Sequence, residues 1–271
     1  MLAQVTIGLA EGTFTRGVAE VNAHHVALAE YVLANADRLP PDLHARTLAA
    51  YSFELFWADQ QEKRAELCER ALVIAREHGD PRVLAHVLYS SSAALDPTDL
   101  GLQARLIALT SEIIEVAAGI DDALVCGAFI TRMTSHACWG DTEAAERDLA
   151  HAELLAERLR IPQLIARTKL LRASLVLLFG RLDDADVLLA DYVAYSEREN
   201  VANIAAGAGI RYRLQYERGD LADLEEPLLA VIAAQAAVPV WRMALCGSIP
   251  WRRVAPCRDA HPTVFGSDRA P

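Results

Sequence analysis

Residues 132–188, RMTSHACWGDTEAAERDLAHAELLAERLRIPQLIARTKLLRASLVLLFGRLDDADVL, decide the fold. A helix runs to a stop at Trp139-Gly140-Asp141, and a second helix starts at Thr142. The chain breaks at Ile161-Pro162, a third helix follows, and a second stop comes at Phe179-Gly180-Arg181. Glycine ends helices because it enters the left-handed region without a steric penalty. Proline suits a first helical turn, where its missing N–H costs nothing. One helix–turn–helix unit is therefore written twice in succession.

Working outward, the stops recur. Gly140-Asp141, Gly180-Arg181 and Gly219-Asp220 lie 40 and 39 residues apart. Ala58-Asp59 lies 82 residues before Gly140, about two intervals, and the break Asp96-Pro97-Thr98-Asp99 falls between, with Asp96 or Thr98 as a possible N-cap. Apolar spacing predicts helices over 1–11, 18–37, 42–57, 60–78, 82–95, 100–118, 121–139, 182–199, 202–218 and 221–236, with Pro227 starting or kinking the last. That makes five helix pairs preceded by at least one more helix. Five residues after the turn glycines stand Ala145, Ala185 and Leu224, and nine after stand Leu149, Leu189 and Leu228. A small residue where two helices cross, with a larger one a turn later, is what close helix pairing needs. Recurring hairpins of this size stack on one another, because none buries its apolar face alone. The expected architecture is all-α, an α-solenoid of period about 40 over residues 1–245. Residues 246–271, with four prolines after Cys246 and no periodicity, read as an irregular or disordered tail.

Composition agrees with a folded helical chain: 53% hydrophobic, 6% aromatic and 23% charged over 271 residues. The net charge of −11 opposes direct binding to a phosphate backbone. The five cysteines form no CxxC and are odd in number, which suits a reducing compartment. The first ten residues lack a basic region, and no run of about 18 apolar residues occurs, so neither secretion nor a membrane span is expected. The chain is expected to be cytoplasmic.

Candidate functional residues follow from the repeat. Arg132, Arg172 and Arg211 each precede a turn glycine by eight residues. Stacking would place them about 10 Å apart, as a cationic ladder along a groove for an acidic peptide or phosphorylated ligand. Alternatively they pair with carboxylates such as Asp148, Asp184 or Glu217. His136 and Trp139, one turn apart beside the ladder, could form an aromatic lip or simply pack at the hairpin turn. His24-His25 faces two directions and cannot chelate as i, i+4 histidines do, and His78, His86 and His151 lack partners at ligand spacing. Ser90-Ser91-Ser92 has no base or oxyanion donor nearby. Asp121-Asp122, Asp183-Asp184 and Glu225-Glu226 suit helix N-termini. Tyr192, Tyr195, Tyr212 and Tyr216 sit at helical spacing and are expected to pack in cores or interfaces. No catalytic residues, metal site or cofactor are expected.

Residues 139–145, WGDTEAA, resemble the centre of a tetratricopeptide unit. Residues 65–85 (AELCERALVIAREHGDPRVLA), 144–159 and 219–241 (GDLADLEEPLLAVIAAQAAVPVW) resemble the MalT-like helical-repeat region of actinobacterial transcriptional regulators. Such proteins join an ATPase core to the array and carry a LuxR-type helix-turn-helix, an activator domain or a cyclase domain elsewhere. The phosphate-cradling loop of that core is missing here, as is a basic helix-turn-helix. The resemblance therefore implies a fragment: the sensor or scaffold part, binding a protein segment or small effector in a concave groove. The alternatives are a truncated oligomerisation module that self-associates through exposed array ends, and an enzyme with its site in the groove.

Overall fold

The computed structural model describes residues 1–11, 22–56, 58, 60–95, 99–201, 204–219 and 225–234. Among these the chain is all-helical, with twelve α-helices and no strand: α1 Leu2–Glu11, α2 Ala23–Leu33, α3 Pro41–Glu54, α4 Gln61–His78, α5 Pro81–Ala93, α6 Gln103–Ala117, α7 Asp122–Cys138, α8 Thr142–Leu159, α9 Pro162–Leu178, α10 Leu182–Arg198, α11 Ile204–Arg218 and α12 Glu225–Ala234. Contacts divide the chain into two compact units, Met1–Arg211 and Tyr212–Pro271.

Each expected helix is present, with ends displaced by a few residues. The segment expected over 18–37 is shorter, and a 3₁₀ turn, Ala36–Arg38, follows it. The helix expected from residue 100 opens in a 3₁₀ turn, Leu100–Leu102, whose cap is Asp99, accepting from Gly101 N–H at 2.8 Å. Asp96 and Thr98 lie outside the described residues, as do Leu224 and the expected tail, 246–271. Pro227 is the third residue of α12, where no intrahelical N–H is needed.

The helix ends obey the chemistry read from the sequence. Gly140 adopts φ +78°; its N–H donates to the Ala137 carbonyl (3.1 Å) and that of Asp141 to the His136 carbonyl (2.9 Å). These two bonds close the open carbonyls of α7. Gly180 repeats the arrangement on α9. Helices α4, α6, α8 and α10 also stop on left-handed residues: Gly79, Gly119, Arg160 and Asn200. Their intervals are 40, 41 and 40 residues. The carboxylates of Asp80, Asp121 and Asp141 cap α5, α7 and α8 by accepting backbone N–H bonds.

In the unit Met1–Arg211, helices pack in chain order. Each of α3, α5 and α7 touches the next odd-numbered helix, and α4, α6 and α8 each pack against both odd-numbered neighbours. Successive even helices meet less closely, through long side chains: Arg105 pairs with Glu69, and Arg76 with Glu112 at 2.8 Å. The core lies between the two rows. Ala45, Ala71, Ala85, Ala128, Ala145, Ala152 and Ala185 are completely buried there. A methyl group at a crossing lets two helix axes approach closely. Leu149 and Leu189, one turn after Ala145 and Ala185, are buried beside them.

Candidate functional site

The arginine ladder is placed by α7, α9 and α11, but the first two of its members are engaged. Arg132 Nε and Nη2 donate to Asp148 Oδ2 (2.8 Å) and Oδ1 (2.7 Å), and Nη1 donates to Ser111 Oγ (2.9 Å). Arg132 also lies over the Phe129 ring, 5.3 Å from its centroid. Asp148 is 5% exposed, so this pair is a bidentate bond at the edge of the core, between α7 and α8. Arg172 Nε and Nη2 donate to Glu153 Oε1 (2.9 Å) and Oε2 (2.7 Å), and Nη1 pairs with Glu146. Hydrogen bonding to Glu153 raises its pKa further above the ordinary guanidinium range. Arg132 and Arg172 therefore point toward the even-numbered helices α6 and α8. Arg211 is exposed on α11.

His136 approaches both Asp148 (3.8 Å) and Asp141 (3.9 Å), while Trp139, the last residue before the turn, is 53% exposed. His151 stacks on Phe129, with ring centroids 5.0 Å apart and planes 10° from parallel. His25 Nδ1 lies 3.2 Å from Glu54 Oε1, tying α2 to α3. Ser91 and Ser92 are buried, and Ser92 Oγ donates to the Tyr89 carbonyl (2.8 Å). Tyr192 is buried against Gly207, and Tyr195 lies between Lys169 and Arg198. Among the described residues no three His, Cys, Asp or Glu side chains converge on a metal position, and no helix is long and apolar enough to cross a membrane.

A different constellation occupies the odd-numbered helices. Tyr89 of α5 lies across α7 at Gly127, with its hydroxyl near enough to Arg167 of α9 to feel that charge. A β-carbon on Gly127 would stand 2.8 Å from Tyr89 Cε2. One phenol of α5 is thus packed on α7 and faces the guanidinium of α9. Burial pushes the Tyr89 hydroxyl pKa up, so it stays protonated at neutral pH. On the same helix as Gly127, burial raises the Cys126 thiol to about 11. Gly127, Thr131, Thr134 and Cys138 follow one face of α7, and Arg167, Leu171, Ser174 and Leu178 the equivalent face of α9.

Sequence reasoning missed this constellation because it looked for one residue type repeated at a fixed distance from the turn glycines, whereas Gly127 and Arg167, each 13 residues before such a glycine, differ in type. Counted from the first residue of each helix, position +5 carries Arg46, His86, Gly127 and Arg167 in α3, α5, α7 and α9. The available signal was Gly127 itself, since a glycine inside a helical pattern marks close approach by a neighbour. No known protein-family model matches this chain, and no curated protein is similar enough to match it.

Proposed function

We propose that the chain is an α-solenoid of tetratricopeptide-like hairpins, about 40 residues each, that acts without catalysis as a recognition scaffold. It binds a protein segment or a small effector on the face made by the odd-numbered helices. It is the sensor part of a cytoplasmic MalT-like transcriptional regulator and makes no direct contact with nucleic acid, which its net charge of −11 would repel. The regulator context rests on the resemblance of residues 65–85, 144–159 and 219–241 alone. The solenoid reading is supported by the left-handed stops at 79, 119, 160 and 200 and by the chain-order contacts.

The observation that carries the recognition role is the closeness of the odd row. Helices α3, α5, α7 and α9 touch in succession, while α4 and α6 meet through side chains. A row of hairpins with one layer closer bends toward that layer, so the outward face of α5, α7 and α9 becomes the hollow one. Selection of a displayed random-peptide library on the protein tests this. Enriched peptides should lose binding to Thr134→Trp and Ser174→Trp, each checked for folding by circular dichroism, and keep it with Leu154→Trp on an even-numbered helix. Peptides indifferent to both face substitutions, or turnover of a bound ligand, would reject the scaffold reading.

Self-association is a second reading, favoured by Leu154 and Val187, 72% and 70% exposed on α8 and α10. Light scattering that shows one mass across a wide concentration range would exclude it.

A further inference from the structure

Where arginines bridge helices in this acidic chain, carboxylates answer them. Arg132 has Asp148, Arg172 has Glu146 and Glu153, Arg105 has Glu69, Arg76 has Glu112 and Arg158 has Asp122. Arg167 differs. It is exposed on α9, the neutral Tyr89 phenol of α5 is the group beside it, and no carboxylate among the described residues pairs with it. Its charge thus has a neutral neighbour and is left uncompensated.

The neighbouring hydroxyls sharpen the chemistry. Thr131 donates to the Gly127 carbonyl (3.1 Å), Thr134 to the Ile130 carbonyl (3.0 Å) and Ser174 to the Leu170 carbonyl (2.9 Å). While these bonds are made, the oxygens face a ligand as acceptors. Arg167 is therefore one planar cation on a face whose register also carries these acceptor oxygens and the exposed Leu178. One guanidinium fork matches the two oxygens of a carboxylate. One fork alone does not satisfy a dianionic phosphate, which takes several donors. Acceptor oxygens suit the N–H groups of a peptide backbone.

We propose that Arg167, positioned by Tyr89 across Gly127, anchors the carboxylate side chain of an acidic peptide segment; this rests on reading the odd-helix face as the recognition surface. The test is titration of the full chain with a capped peptide, acetyl-Ala-Ala-Glu-Ala-Ala-Leu-amide, against its Gln counterpart, following the Arg167 Nε–Hε resonance. The Glu peptide should shift that resonance saturably and bind about tenfold more tightly than the Gln peptide. Arg167→Gln should erase the preference, and Tyr89→Phe, which releases the guanidinium, should weaken it.

Equal binding of the two peptides, no binding of either, or a preference that survives Arg167→Gln would overturn the proposal. Tighter binding of inorganic phosphate, or of the neutral peptide with a free C-terminal carboxylate, would overturn the side-chain assignment. If Thr134→Trp still abolishes peptide binding while Arg167→Gln changes nothing, only the anchor fails. If Thr134→Trp also changes nothing, the recognition face fails with it.

Discussion

Tyr89 and Gly127 are fitted to each other: the ring crosses α7 where a β-carbon would come to 2.8 Å from its Cε2. Gly127 costs α7 about 1 kcal/mol of helix propensity relative to alanine. Gly127→Ala regains that term but forces the Tyr89 ring aside. The expected net result is destabilisation by about 1–2 kcal/mol in urea unfolding. In a Tyr89→Ala background the same substitution should become neutral or stabilising, since nothing then opposes the added methyl. A cost that persists without the Tyr89 ring would place the constraint elsewhere.

Arg132 and Asp148 set a second expectation. Removing one partner of a largely buried bidentate pair strands the other charge. Asp148→Ala should therefore destabilise by about 2–4 kcal/mol. The Arg181–Asp184 pair has similar geometry, 2.7 Å, but both side chains are more than half exposed. Water screens it, so Asp184→Ala should change stability by at most about 0.5 kcal/mol. Equal effects at the two sites would mean that burial does not govern these ion pairs.

These contrasts mark what the sequence could and could not tell. Helix existence was legible because apolar period, glycine stops and first-turn prolines act locally: Gly140, Gly180, Pro41, Pro81 and Pro162 all sit where local chemistry puts them. Ala145 and Ala185 were legible as crossing points because a crossing demands small side chains. The orientation of Arg132 and Arg172 was not. Spacing fixed their equivalence, but whether a side chain faces α8 or the open face depends on where Asp148, Glu146 and Glu153 arrive from another helix. Arg167 escaped notice for the same reason, since the phenol beside it comes from α5, four helices earlier in the chain.

Arg160 stands where Gly79 and Gly119 end other even-numbered helices, in left-handed backbone with φ +55°. A side chain in that region costs about 1 kcal/mol, and glycine none. The Arg160 N–H donates to the Ala156 carbonyl at 3.0 Å, a bond glycine would keep. Arg160→Gly should therefore stabilise by up to about 1 kcal/mol. Asn200→Gly should gain less, because asparagine tolerates this conformation better. Thermal melts of the two variants, compared with the parent, decide it; a loss of stability in Arg160→Gly would mean that the arginine side chain has a structural role.

Cys126 couples the core to pH. Burial raises its thiol from 9.0 to about 11, so above pH 9 the unfolded chain loses a proton that the folded chain keeps. The stabilisation is complete below pH 9 and disappears as pH climbs toward 11. Between pH 8 and pH 10 this one group should lower stability by about 1 kcal/mol. Burial raises the Cys68 thiol in the same direction, so the whole protein should lose more than that. Cys126→Ala removes only its own share: its unfolding free energy should decline less steeply over the same range. An unchanged slope in the variant would show that the Cys126 thiol is not shielded from water in the folded state, and that the contact between α7 and α8, where its sulfur lies 3.4 Å from the Ala152 carbonyl oxygen, is open in solution.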